Sequence, residues 1–519
     1  MQLQSHFIYS RAPLQASAPM VAMRDNLHGL SLSPDGDRLY LTDIGGDLRC
    51  LEPGLDPLWK VNRYAEAKGC VSNTPVELRD GALVFYEGFN QKSLTCLGPD
   101  RTPRWSHPVA SEDSLRPPVH LEGRIVTLRR KGDDRFLVGL RPEDGSEAWT
   151  TRLESHPKEG PLATPDGRVL VTTCEGTLRC FGGDGAELWT RPHPNGMGFG
   201  FIGLSSRGLA TVDRELNSLA AYRQSDGEPV WTHRAGPREQ LKFPPVEGPD
   251  GTLYLPLWSA SSLRALDPDT GRTLWELPLP EDLSEGRPTV GQDGRIRLPL
   301  GRTLWVINPD GSVDSRRQFS HHLHGRCAVT EAGTALVGAH RKVYRVSARR
   351  TAGSMSLRRA TAETAAARLG VEADWLERSD LSQESLVDLA MGARFAGELS
   401  RAAEVPERTV QGFLVSLATD PDVPTEERAA TLAFLRSLDR DASHALVQAL
   451  ATTDNLAAQG ESLRRVAAVL RQQPPEGLTT ALDALAVARS LHTPASVGMG
   501  LTEQFLTVGT VRVRRRTRG

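Results

Sequence analysis

The residues with the clearest capacity for chemistry are a histidine run, His321-His322-Leu323-His324, with Cys327 just after it and His340 further on. Imidazoles this close could hold a transition metal. No neighbouring carboxylate or second cysteine completes a ligand set, and the run falls in a connection between two repeats, where solvated polar side chains are ordinary. His321, His322 and His324 are therefore weak metal candidates, and no metal centre is expected. The six cysteines are Cys50, Cys70, Cys96, Cys174, Cys180 and Cys327. None forms a C-x-x-C pair or any zinc-type spacing. Cys50, Cys96 and Cys180 recur at one strand position in three repeats, which suits small buried packing residues better than nucleophiles. The chain has no G-x-x-x-x-G-K-[ST] loop, no G-x-S-x-G elbow and no H-E-x-x-H helix. Arg129-Arg130-Lys131 reads as a solvated turn. No catalytic residue is expected, no cofactor is assigned, and cofactor-binding residues stay unassigned.

The charge distribution points the same way. Formal net charge is −2 over 519 residues, so no global attraction to nucleic acid or anionic lipid is expected. The last residues reverse the trend locally: Arg512, Arg514, Arg515, Arg516 and Arg518 make a short basic tail, a possible contact for an acidic partner surface. No run reaches the roughly 18–20 apolar residues of a membrane span. The first ten residues lack the basic and apolar segments of an export signal, and the cysteine pattern suits reduced thiols, so a cytoplasmic setting is expected.

The elements that must position these residues come from a repeat. A turn glycine followed by an aliphatic or β-branched run occurs at Gly36, Gly81, Gly123, Gly167, Gly208, Gly251, Gly294 and Gly333, at intervals of 39–45 residues. Several turns are spelled Asp-Gly, which supplies the positive φ of a tight hairpin. Runs such as Leu39-Tyr40-Leu41 and Leu253-Tyr254-Leu255 follow as strands, and a second strand comes after each. A tryptophan then sits in a last strand: Trp59, Trp105, Trp149, Trp189, Trp231 and Trp275. Four of them fall four residues after a turn glycine (Gly145, Gly185, Gly227, Gly271). This period with four strands per repeat predicts an all-β eight-bladed propeller over residues 1–350. The eighth repeat lacks its outermost strand, and Phe7-Ile8-Tyr9 is expected to supply it, so removing residues 1–15 should lower the melting temperature. Ser315 stands where the seventh repeat should have a tryptophan, which predicts a weaker contact there. Trp258, Trp305 and Trp375 lie outside the register and read as packing residues.

The stretch Ala265-Leu266-Asp267-Pro268-Asp269-Thr270-Gly271-Arg272-Thr273-Leu274-Trp275 closely resembles the tryptophan-docking motif of the quinoprotein-like propellers with PQQ-like repeats. In that family the tryptophan wedges between adjacent blades, a role the resemblance gives to the six tryptophans above. It also raises a quinone- or metal-dependent oxidoreductase as an alternative. Many alcohol-oxidising members carry adjacent cysteines in a strained disulfide beside the cofactor, and hold calcium with Glu, Asn and Asp on inserted loops. This chain has no Cys-Cys pair, and its repeats are near minimal. A second alternative is the propeller of the envelope β-barrel assembly machine, which has similar repeats.

After Arg350 alanine and leucine rise and strand patterns vanish. Stripes at i, i+3, i+4, i+7 predict helices near 357–369, 371–379, 382–402, 406–419, 425–438, 441–452, 455–472 and 477–492, a smaller all-α bundle or helical-repeat stack over 351–499 ahead of the tail at 500–519. Together these features predict a non-catalytic scaffold that binds protein partners through the propeller face and the helical domain, with no role at membranes and none expected on nucleic acid. Similar bacterial propellers look like subunits of multi-component assemblies, some beside chaperone-like ATPases in systems of conflict with phage.

Overall fold

The structure is a computed structural model that describes residues 15–16 and 21–437, apart from short segments at 24–26, 34, 44, 64–70, 88–92, 110–116, 193–200, 216, 282, 284–285, 348–353, 404–406 and 420–424. The repeats become eight antiparallel sheets: blades 1 to 8 span 27–62, 71–108, 119–153, 157–192, 202–234, 246–278, 289–318 and 323–347. Each of the first seven has four strands that follow chain order, so every connection is a hairpin.

Burial explains the sequence pattern. Most second strands, among them Leu39–Asp43 and Leu253–Leu257, are buried at every position, because neighbouring blades cover both of their faces. Outermost strands such as Pro57–Asn62 expose alternate residues, which is why their tryptophans stand out between polar neighbours. The apolar core is accordingly divided into clusters that straddle blade junctions. One joins Leu39 and Leu41 of blade 1 to Leu336 and Val343 of blade 8, where the ring closes.

Closure uses chain from the other end, as expected for the N-terminal segment. Gln15–Ala16 pairs antiparallel with Val346 and Ser347, and Val21–Ala22 pairs with Lys342 and Val343. The last blade thereby gains its outer strand in two short pieces. Phe7-Ile8-Tyr9 lies outside the described residues.

Among the described residues five helices follow: α1 (Leu357–Leu369), α2 (Ala373–Glu377), α3 (Gln383–Ala403), α4 (Glu407–Thr419) and α5 (Thr425–Ser437). Ser356 caps α1 by accepting from the Arg359 amide, and Gly370 ends it in a left-handed conformation at φ 71°. Arg358 then donates to the carbonyls of Glu377, Ser379 and Leu381 at 2.7–2.8 Å, fixing the turn after α2. The helices expected at 441–452, 455–472 and 477–492 and the arginine tail lie outside the described residues.

The helices pack on the flank of blades 5 to 7. Val313 and Met355 exchange backbone hydrogen bonds at 2.8 Å, which lays the approach to α1 along the outermost strand of blade 7. Thr364 of α1 donates to the Pro278 carbonyl, and Arg368 donates to the carbonyls of Leu279 and Ala390. Val387 and Met391 of α3 enter the core of blades 5 and 6 beside Leu241, Leu255 and Leu257.

Candidate functional site

The six tryptophans occupy equivalent places on outermost strands, and five reach the following blade with the same bond. The indole N–H donates to a carbonyl there: Trp105 to Pro142, Trp149 to Gly183, Trp189 to Gln224, Trp231 to Pro268 and Trp275 to Pro309, at 2.7–3.1 Å. Each ring lies over a left-handed residue of that next blade. At Gly271, with φ 68°, a Cβ would stand 2.5 Å from the Trp231 ring, so both the backbone angle and the space require glycine. Gly145, Gly185, Gly227 and Gly311 receive the other four rings in the same way.

The register holds where glycine is absent. Arg101, four residues before Trp105, also has positive φ, and its guanidinium lies 4.3 Å over the ring of Trp59. Leu55, four before Trp59, has φ 79° and packs against Ala328, Leu336 and Val343 of blade 8. Ser315 is buried in the tryptophan position of blade 7, and its hydroxyl donates to Asp314. At the junction of blades 7 and 8, Arg297, only 1% exposed, donates to Asp293 and to the Gly333 carbonyl, both at 2.7 Å.

The histidine run is dispersed. His321 and His322 are exposed at the start of blade 8, and His321 meets His340 edge-on with ring centroids 5.3 Å apart. His324 lies in the strand Leu323–Val329. Cys327 is buried, its sulfur 3.8 Å from the Arg297 carbonyl. Among the described residues no group of three or more His, Cys, Asp or Glu side chains is arranged to hold a metal ion. Burial pushes the thiols of Cys50, Cys96 and Cys327 up to about 11 and that of Cys180 to about 12, far from the thiolate a nucleophile needs.

Two expectations need correction. Arg129-Arg130-Lys131 is the end of a strand, not a turn; Arg129 pairs with Glu147 and Arg130 donates to the Gly132 carbonyl. Of the three tryptophans read as packing residues, only Trp305 is buried. Trp258 and Trp375 are 37% and 41% exposed, because both stand outside the sheets, Trp258 in a hairpin turn and Trp375 on α2. Lys242 lies 4.8 Å over the Trp258 ring.

Sequence patterns gave no sign of a buried ionic cluster where α3 and α5 meet blades 5 and 6. Arg264 donates at 2.9 Å to both Glu239 and Glu276. Arg436 of α5 donates to Glu239 at 2.7 Å, to both oxygens of Glu276 at 2.7 and 2.8 Å, and to Asp388 of α3 at 3.1 Å. His233 completes the group: Nδ1 lies 2.9 Å from the Gly271 carbonyl and Nε2 2.9 Å from Arg264. An arginine offers no acceptor, so Nε2 accepts and Nδ1 carries the proton. Burial, then the Arg264 charge, holds His233 down to about 4. Burial opposes ionisation of Glu239 and Glu276, but the charges of Arg264 and Arg436 outweigh it and keep both carboxyls below their ordinary range. Burial pushes Asp388 up to about 6 despite Arg436.

A shallow cavity of about 240 Å³ lies between blades 8 and 1, lined by Asp35, Asp37, Pro53, Glu331, Thr334 and Arg345 among others. Its walls are hairpin turns and the strand residue Arg345, and it holds both charge signs.

Residues 133–293 match the family model described as "Outer membrane protein assembly factor BamB". No curated protein matches the chain. Among solved structures, BamB from Moraxella catarrhalis is 17% identical, with 64% of this chain and 97% of that chain covered and a TM-score of 0.49. The quinohemoprotein alcohol dehydrogenase ADHIIG from Pseudomonas putida HK5 is 12% identical, with 67% and 80% covered and a TM-score of 0.49. Saccharomyces cerevisiae Sqt1 is 10% identical, with 62% and 96% covered and a TM-score of 0.50, a likeness of fold alone. With its eight blades and interlocking tryptophans, the chain is a β-propeller whose residues 133–293 carry PQQ-like, BamB-type repeats.

Proposed function

We propose that this protein is a non-catalytic protein–protein interaction scaffold, a cytoplasmic subunit of a bacterial multi-component assembly. The observation that carries this reading is the way its side chains are used. The buried cysteines, His233, Glu239 and Glu276 are occupied in packing or in ion pairs. The indole-to-carbonyl bonds recur at five successive junctions, from blade 2 to blade 7, and stiffen the ring into a frame. A rigid frame holds hairpin loops in fixed positions while leaving their sequences free to fit a partner. The helices add a second surface attached to the same frame.

The test is affinity purification of the full chain, tagged and expressed at native level, with quantitative mass spectrometry. A stoichiometric protein partner is expected. A chain that purifies alone, and that gains a quinone chromophore or redox turnover when quinone and calcium are supplied, would instead make it an oxidoreductase.

A second reading is favoured by the match of residues 133–293 to an outer membrane protein assembly factor. In that case the scaffold would act in the cell envelope. Cell fractionation separates the two: the main reading expects the chain in the cytosolic fraction, and recovery with the envelope would favour the second.

A further inference from the structure

The ionic cluster lies where the helices cover the flank of blades 5 and 6. Glu239, just beyond blade 5, is 1% exposed, and Glu276, on the outermost strand of blade 6, is 7% exposed. Arg264, beside them, supplies one positive charge to two carboxylates. It approaches Oε2 of each. Oε1 of Glu239 and Oε1 of Glu276 meet Arg436 of α5, and Ser262 on blade 6 also donates to the latter at 2.6 Å. With the helices packed over it but no second cation, the flank would bury an unbalanced negative charge, which is strongly unfavourable.

The second cation comes from far along the chain. Arg436 lies 197 residues after Glu239 and 160 after Glu276. All three of its guanidinium nitrogens are engaged, Nε by Glu239, Nη2 by Glu276 and Nη1 by Asp388. Such a set matches the planar fork of a guanidinium and does not match a compact ammonium. The remaining charged or titratable neighbours are Arg264 and neutral His233 on the propeller and Glu384 on α3. Arg428 of the same helix is turned away, donating to the Ala418 carbonyl and pairing with Asp380.

We infer that the flank between blades 5 and 6 is a guanidinium-binding site, built from Glu239, Glu276 and Arg264, and that its ligand is Arg436 of the chain's own helical segment. Asp388 closes the site from the helix side. Through it the last described helix is fastened to the propeller, so the helical surface and the propeller face move as one platform.

The test uses the full chain carrying Arg436→Ala, read by hydrogen exchange on peptides covering 236–241, 273–278 and 425–437. Exchange of α5 is expected to rise roughly tenfold or more over the native chain, while the central strands of blades 1 to 4 stay protected. Methylguanidinium at millimolar concentration is expected to restore protection and methylammonium is not. Adding Glu276→Gln to Arg436→Ala should abolish that rescue. Unchanged α5 exchange in Arg436→Ala, or a loss that methylguanidinium fails to reverse, overturns the inference. If Arg436→Ala does not fold, Arg436→Lys serves: it keeps the charge but not the fork, so faster α5 exchange is expected, and exchange equal to the native chain overturns guanidinium specificity.

Discussion

Gly271→Ala tests how much the tryptophan docking contributes to the ring. Gly271 has φ 68°, and a Cβ there would stand 2.5 Å from Cε3 and 2.7 Å from Cδ2 of Trp231. An L-residue in the left-handed region costs roughly 1–2 kcal/mol. Forcing a methyl group into a packed contact adds roughly 1–3 kcal/mol, since Trp231 is held by its bond to Pro268 and cannot retreat freely. The combined loss is on the order of 2–5 kcal/mol. Gly36 is the matched control: its φ is 76°, but a Cβ meets nothing within 4 Å. Gly36→Ala therefore carries only the backbone cost, roughly 1–2 kcal/mol. Differential scanning calorimetry on the two variants should place Gly271→Ala lower, by on the order of 2–10 °C. Equal melting temperatures would refute the view that the glycine is there to receive the indole.

Three further outcomes follow from other parts of the molecule. Removing residues 1–22 strips both pieces that pair with Lys342–Ser347 and is expected to lower the melting temperature by several degrees, which calorimetry reads directly. Asp388→Asn should stabilise the protein at pH 7.5 by about 1–3 kcal/mol and have little effect at pH 3.5. Its folded value near 6 lies above that of the unfolded chain, so the native aspartate costs stability progressively as pH rises from about 4 to 6; urea unfolding at both pH values checks this. His233 acts in the opposite direction: held near 4 when folded, it loses stability as pH falls from about 6.5 to 4, so His233→Gln should flatten the acid limb of the same unfolding profile.

Features that repeat or that share one helix face were readable from the chain. The glycine period yielded eight blades, and the apolar stripes placed α1 to α5 within about two residues. The docking register was only half visible. Gly145, Gly185, Gly227 and Gly271 advertise a left-handed position, whereas Leu55 and Arg101 adopt it without the residue type that signals it. Gln15–Ala16 and Val21–Ala22 were not legible as closing strands because two-residue pieces carry no alternation. The ionic cluster was invisible for a different reason. Glu239, Arg264, Glu276, Asp388 and Arg436 each look like solvated surface residues, and only the packing of helices on blades 5 and 6 buries them together. The exposure of Trp258 was missed in the same way, since a tryptophan outside the register could equally fill a core or cap a loop.

The scaffold reading is tested most directly by the native mass of the full chain as isolated from its own cells. Size-exclusion chromatography with light scattering and native mass spectrometry should find it in a complex heavier than its own 56.6 kDa, with a second polypeptide in fixed ratio. A species at the monomer mass, free of other protein and turning over a redox substrate with a bound quinone, would contradict it.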